Sequence, residues 1–145
     1  MDSPYALLVP IIFLGVIAIL EYRNPLWRKF VLAGQPLPDI DDPQQSIEII
    51  FFWEGAEEYG KAENSDYWNA MDLRATSNGL AVKRPLFLFG RRSVFIPWYQ
   101  VTSGKSFYAW LTKRRTLSIN GSNLYFSVTE KFYKHYVCQY IESAR

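Results

Sequence analysis

Hydrophobic positions follow three patterns along this chain, and each predicts a different kind of element. The first is an unbroken apolar run. From Ser3 to Leu20 (SPYALLVPIIFLGVIAIL) there are eighteen residues without a charge, bracketed by Asp2 and Glu21. A helix of about 17–25 such residues crosses a bilayer. Tyr5 and Tyr22 stand at the edges of the run, where interfacial aromatics belong. Pro10 and Gly15 are better tolerated in a spanning helix than in a soluble one. The pattern therefore predicts a transmembrane helix. A signal peptide would begin with basic residues and end on a small-x-small site, whereas this chain offers Asp2 and Ala18-Ile19-Leu20-Glu21. A buried core helix would have to hide an all-round apolar surface in a small domain. Arg23, Arg28 and Lys29 all follow the run. The positive-inside rule then puts the N-terminus outside and the bulk of the chain in the cytoplasm. Gly15 and Ala18 are the small residues through which such a helix would pack on partner helices. After the break at Asn24-Pro25, LWRKFVL sets Trp27 and Phe30 beside Arg28 and Lys29. That mixture suits a short segment at headgroup depth.

The second pattern is mixed. Residues 33–45 (AGQPLPDIDDPQQ) carry three prolines and three aspartates, the composition of an extended linker. Three regions follow: an anchor and interfacial segment over 1–32, an acidic Pro-rich linker over 33–45, and a folded domain over 46–145. Residues 46–62 put Ile49, Trp53, Ala56 and Gly60 on one helical face, with Ser46 as N-cap. Ile49-Ile50-Phe51-Phe52-Trp53 also fits a buried strand. The third pattern begins near Met71, as short β-type runs between turn signals. MDLRATS and LAVKR flank Asn78-Gly79, the strongest two-residue hairpin signal. PLFLF, SVFIPW, FYAWLTK, RTLSI and NLYFSV follow, the last after Asn120-Gly121. Thr129 then caps an amphipathic helix with Phe132, Tyr136, Val137, Tyr140 and Ile141 as its apolar stripe. The expected class is α+β: one N-terminal transmembrane helix, then a small antiparallel β-barrel closed by a C-terminal helix.

That element order resembles a pleckstrin-homology-like (GRAM-like) barrel. At residue level, Gly79-Leu80, then Leu86-Phe87-Leu88-Phe89, then Ile96-Pro97-Trp98 is similar to a pattern in uncharacterised small bacterial membrane-anchored proteins. The likeness covers about residues 46–137. It implies a barrel in which Gly79, Leu80, Ile96, Pro97 and Trp98 are structural, at a bacterial inner membrane. That family brings no established activity. Its usual paired prolines are replaced here by Arg91-Arg92.

Composition narrows the chemistry. The single cysteine, Cys138, precludes an internal disulfide. It lies three residues from the only histidine, His135. A nucleophile pair would need an orienting group and an oxyanion site, and a metal would need further ligands. No phosphate-cradling glycine loop, nucleophile elbow or HExxH is present. Asp39, Asp41 and Asp42 lack the glycine turn and distal glutamate of a calcium loop. Glu54, Glu57 and Glu58 read as a solvated face. No catalysis, cofactor or metal is expected.

Charge is the informative feature. The net is +2, but residues 39–66 sum to −8 and residues 71–145 to +9. The basic set is Lys83, Arg84, Arg91, Arg92, Lys105, Lys113, Arg114 and Arg115, expected at strand ends and turns. It could face anionic lipid head groups, the acidic segment of the same chain, or an acidic partner subunit. Nucleic acid is not expected. Aromatics make up 17% of the chain, more than one small barrel fills, so Trp98 and Trp110 are candidate interface anchors. The expected role is an accessory subunit of a membrane complex that binds other subunits. The alternative is a tethered domain that binds anionic lipid.

Overall fold

The run Ile49-Ile50-Phe51-Phe52-Trp53 settles as strand, because it is covered on both faces. In the computed structural model, which describes residues 3–22, 25–38, 46–60, 67–83 and 93–143, it lies in the strand β1 (Ser46–Glu54). Ile50 and Phe52 point into the main core. Phe51 and Trp53 are equally buried, at 1% and 0% exposure, beneath aromatic rings on the opposite face. A strand buried on both sides needs no polar alternation, and helical spacing loses to this pairing.

Among the described residues six further strands follow: β2 (Tyr67–Ala75), β3 (Gly79–Lys83), β4 (Ser93–Pro97), β5 (Val101–Ala109), β6 (Thr112–Ile119) and β7 (Leu124–Thr129). They form one curled, antiparallel half-barrel sheet in the order β4-β3-β2-β1-β7-β6-β5. The expected 85–89 strand and the turn after it lie outside the described residues. The C-terminal helical segment runs as α3 (Glu130–Phe132), a π-turn (Tyr133–Val137) and α4 (Cys138–Ser143). Thr129 caps it, its side chain accepting from the Phe132 amide, and Phe132, Val137 and Ile141 close the core.

Upstream lie α1 (Leu8–Tyr22) and α2 (Pro25–Ala33). The transmembrane expectation fails at α1. It has fifteen residues, about 22 Å at 1.5 Å per residue, against roughly 30 Å of hydrocarbon. Among the described residues no helix is long and apolar enough to cross a membrane. The cause is local. Pro4 opens a 3₁₀ turn (Pro4–Ala6) capped by Ser3, whose Oγ accepts from the Tyr5 amide, so the regular helix begins only at Leu8. The uncharged run is thus longer than the helix it forms, and the single-pass assignment is withdrawn with it.

The headgroup reading of α2 is also corrected. Trp27 and Phe30 are buried in the core, not held at an interface. The Phe30 ring sits 4.9 Å from Phe52 and 5.2 Å from Phe126. Lys29 Nζ donates to the Glu54 carboxylate at 2.7 Å, which ties α2 to the end of β1. Arg28 remains exposed. After α2 the chain turns at Gly34, where a methyl would run into Val94. Gln35 then pairs with Phe95, its amide donating at 2.8 Å and its carbonyl accepting at 2.9 Å. This bridge covers the outer edge of β4, an edge that would otherwise offer unpaired backbone.

The five residues of the resemblance pattern meet in one place. Gly79 pairs with Pro97 and Leu80 with Ile96 across β3 and β4. A Cβ on Gly79 would lie 2.5 Å from the Ile96 carbonyl oxygen, so the backbones approach more closely than a side chain allows. Trp98 is buried, donates from Nε1 to the Thr76 carbonyl at 2.6 Å and stacks on Tyr140. It is a core residue and no interface anchor.

Candidate functional site

The outer face of the sheet is built from the odd-numbered residues of β1 and their neighbours. Trp53 lies under Tyr59, against Phe107 and stacked on Tyr125. The chain leaves β1 at Gly55, whose φ of 104° permits a sharp return. Trp53 Nε1 then donates to the Ala56 carbonyl at 2.8 Å. This brings Tyr59 back over the sheet, 5.6 Å from Phe51.

Arg114 is embedded in this aromatic layer. It is buried, with its guanidinium 4.7 Å from the Phe51 ring centroid. Its Nε donates to Ser127 Oγ at 3.0 Å and its Nη2 to the Ile49 carbonyl. It makes no ion pair among the described residues. Burial lowers its pKa, opposed by the charges of Glu48 and Tyr59. Arginine still remains cationic at any physiological pH. Arg115, one residue on, faces the other side. Its Nη2 and Nε reach Glu130 at 2.5 and 3.1 Å, and its Nη1 donates to the Gly104 carbonyl. The hydrogen bond to Glu130 raises its pKa. Arg114 and Arg115 are therefore fastened inside the fold. Lys105 and Lys113 are exposed, Lys83 is half-buried at the end of β3, and Arg84, Arg91 and Arg92 lie outside the described residues.

Glu130 supplies a pH dependence. Burial pushes its carboxyl up, but the hydrogen bond and charge of Arg115, with Ser106 and Lys113, outweigh burial and bring it below its ordinary value. A depressed folded pKa stabilises above the unfolded value of about 4.3 and is lost as pH falls through the lower folded value. Unfolding free energies measured from pH 7 to pH 3 are expected to fall more steeply for the natural chain than for Glu130→Gln. Equal slopes would show that the pair is not coupled to folding.

The exposed part of the outer face is apolar. Ile47, Ile49 and Trp68 stand on β1 and β2. Beside them is the tip of the β5–β6 hairpin. Ala109 pairs with Thr112, so Trp110-Leu111 is a two-residue loop. The FYAWLTK run was expected to be one strand; it is instead bent back at this turn. Trp110 and Leu111 both have positive φ, 55° and 62°. Two-residue hairpins favour Asn-Gly there, and the left-handed conformation costs a side-chain-bearing residue about 1–2 kcal/mol. Trp110 packs edge-on to Trp68 at 5.0 Å and reaches Phe51 at 6.2 Å, yet is 65% exposed; Leu111 is fully exposed. Strain held by bulky residues at an exposed tip makes this surface the candidate site, since the fold alone would be better served by other residues. Trp110 stood out in the sequence as a candidate, and the structure places it exposed at the hairpin turn. Trp68 and Leu111 did not, because only the strand register puts Leu111 in the turn and Trp68 of β2 beside Trp110.

The remaining candidates separate. His135 is exposed, and its Nδ1–H donates to the Lys131 carbonyl at 2.8 Å. Cys138 is half-buried. No group of residues that could hold a metal ion occurs among the described residues. Tyr5 and Gly15 lie in the exposed N-terminal segment; the side chains of Ala18 and Tyr22 are outside what the structure describes. Compared with protein-family models, curated proteins and solved structures, the chain matches none.

Proposed function

We propose that this chain is a non-catalytic binding protein, an accessory subunit that a partner protein holds by α1. The observation that carries this reading is the surface of that helix. Leu8, Val9, Ile11, Ile12, Phe13, Leu14, Val16, Ile17 and Ile19 are all exposed. At 100° per residue these positions cover every side of the helix. A helix apolar all round is stable when something encloses it. Each large side chain buried contributes about 1.5–3 kcal/mol. At about 22 Å the helix is too short for a bilayer's hydrocarbon core, and a bundle of uncharged partner helices is the enclosure that fits. Gly15 has nothing within 4 Å of where a Cβ would stand, so a partner backbone can come close at that point.

The test is co-purification from the native cell followed by sizing. The natural chain is expected to elute with a partner at fixed stoichiometry. The full chain carrying Ile12→Asp and Val16→Asp is expected to elute without it, through more than tenfold loss of affinity, with its melting temperature unchanged. Retention of the partner by the double variant would overturn the proposal.

A further inference from the structure

We infer that the β5–β6 hairpin tip is a second binding site, which contacts the surface of an anionic lipid bilayer independently of α1. Trp110 and Leu111 enter the headgroup layer, Trp68 lies at its edge, and Lys105 and Lys113 face the lipid phosphates. This is a contact at headgroup depth and crosses nothing.

Four observations converge on it. The tip is convex: Leu111 is fully exposed at a two-residue turn, with no wall around it among the described residues. Such a protrusion suits a deformable layer that closes around it. A protein partner would need a pocket shaped to receive it. Second, the protruding side chains are Trp and Leu, with Tyr108, also exposed, directly opposite Lys113 in the strand register. Amphipathic rings and lysines beside an apolar tip are the residues that settle at a membrane–water boundary. Third, Lys105 and Lys113 are exposed and make no ion pair among the described residues, while residues 71–145 sum to +9. The neighbouring Arg115 is occupied by Glu130, so on the described part of this hairpin Lys105 and Lys113 are the exposed cations. Fourth, the tip is preorganised. Trp110 is braced on Trp68 and Phe51, which limits the ordering cost of binding. The next connection, between β6 and β7, by contrast puts a glycine, Gly121, at its positive-φ position.

Vesicles of phosphatidylcholine with about one-third phosphatidylserine, and of phosphatidylcholine alone, test this by sedimentation at about 0.1 M salt, a Debye length of about 10 Å. The chain used is full-length with Ile12→Asp and Val16→Asp, so that α1 does not itself recruit lipid. It is expected to bind the anionic vesicles and not the neutral ones, with tryptophan fluorescence quenched by brominated acyl chains. Adding Trp110→Asn and Leu111→Gly installs the favoured turn pair. It is expected to keep the melting temperature or raise it, while weakening vesicle binding at least tenfold and abolishing the quenching. Adding Lys105→Gln and Lys113→Gln instead is expected to weaken binding by roughly 25-fold, about fivefold for each lysine near the surface. Undiminished binding by the turn variant would overturn the proposal. So would failure of the starting chain to bind anionic vesicles, which would leave the tip to a protein partner. Neither result bears on the α1 complex, which is read out separately.

Discussion

Phe30→Ala is expected to lower the unfolding free energy of the full chain by about 3–5 kcal/mol. The ring is 1% exposed and sits edge-on to Phe52 and Phe126, beside Trp27. Truncation removes the transfer energy of a benzyl group and leaves a cavity between α2 and the centre of the sheet. That cavity cannot easily collapse, because α2 is pinned at one end by Lys29–Glu54 and followed by the Gln35–Phe95 bridge. Urea titration followed by far-UV circular dichroism gives the number. A loss below about 1 kcal/mol would mean that α2 only rests on the sheet, and that the folded unit begins at β1.

Arg114→Ala is the second large effect, expected to cost about 3 kcal/mol. Two terms contribute. The Ile49 carbonyl and Ser127 hydroxyl lose their donor inside the fold, at about 1–3 kcal/mol per unsatisfied group. The Phe51 ring also loses the guanidinium packed on its face. Against these stands relief from the desolvation of a cation that makes no ion pair among the described residues. Arg114→Met keeps much of the volume and is expected to cost about half as much. Arg114→Lys is expected to fare no better than Met, since an ammonium cannot donate to both groups in the planar fork geometry. If Arg114→Met proved at least as stable as the natural chain, the hydrogen bonds would be contributing nothing net.

Much of the sheet was legible in the residues. Asn78-Gly79 and Asn120-Gly121 fell at strand boundaries, and Thr129 capped the helix that follows β7. These signals are local, and local chemistry fixed them. What failed needed non-local information. Ile49 to Trp53 carries a helix-compatible spacing, and the doubly buried strand depends on distant cover from Tyr59, Phe107 and Arg114. Trp27 beside Arg28 and Lys29 suits a membrane boundary equally well as it suits a helix whose one face meets a core. Hydropathy counted eighteen uncharged residues, but Pro4 and Ser3 set where the helix starts. The basic rim thinned because Arg115 has Glu130 within reach and Arg114 has the Ile49 carbonyl, partners 15 and 65 residues away.

The central position of β1 has a consequence for how the chain is made. β1 pairs with β2 on one side and with β7 on the other, Phe51 facing Ser127. Its second neighbour leaves the ribosome only after β2 to β6 have been made. At roughly 5–20 residues per second, Phe52 and Trp53 wait several seconds in the nascent chain without their β7 partners. The half-built sheet would carry an open apolar edge during that time, so elongation speed between β1 and β7, and chaperone cover over that interval, become determinants of yield.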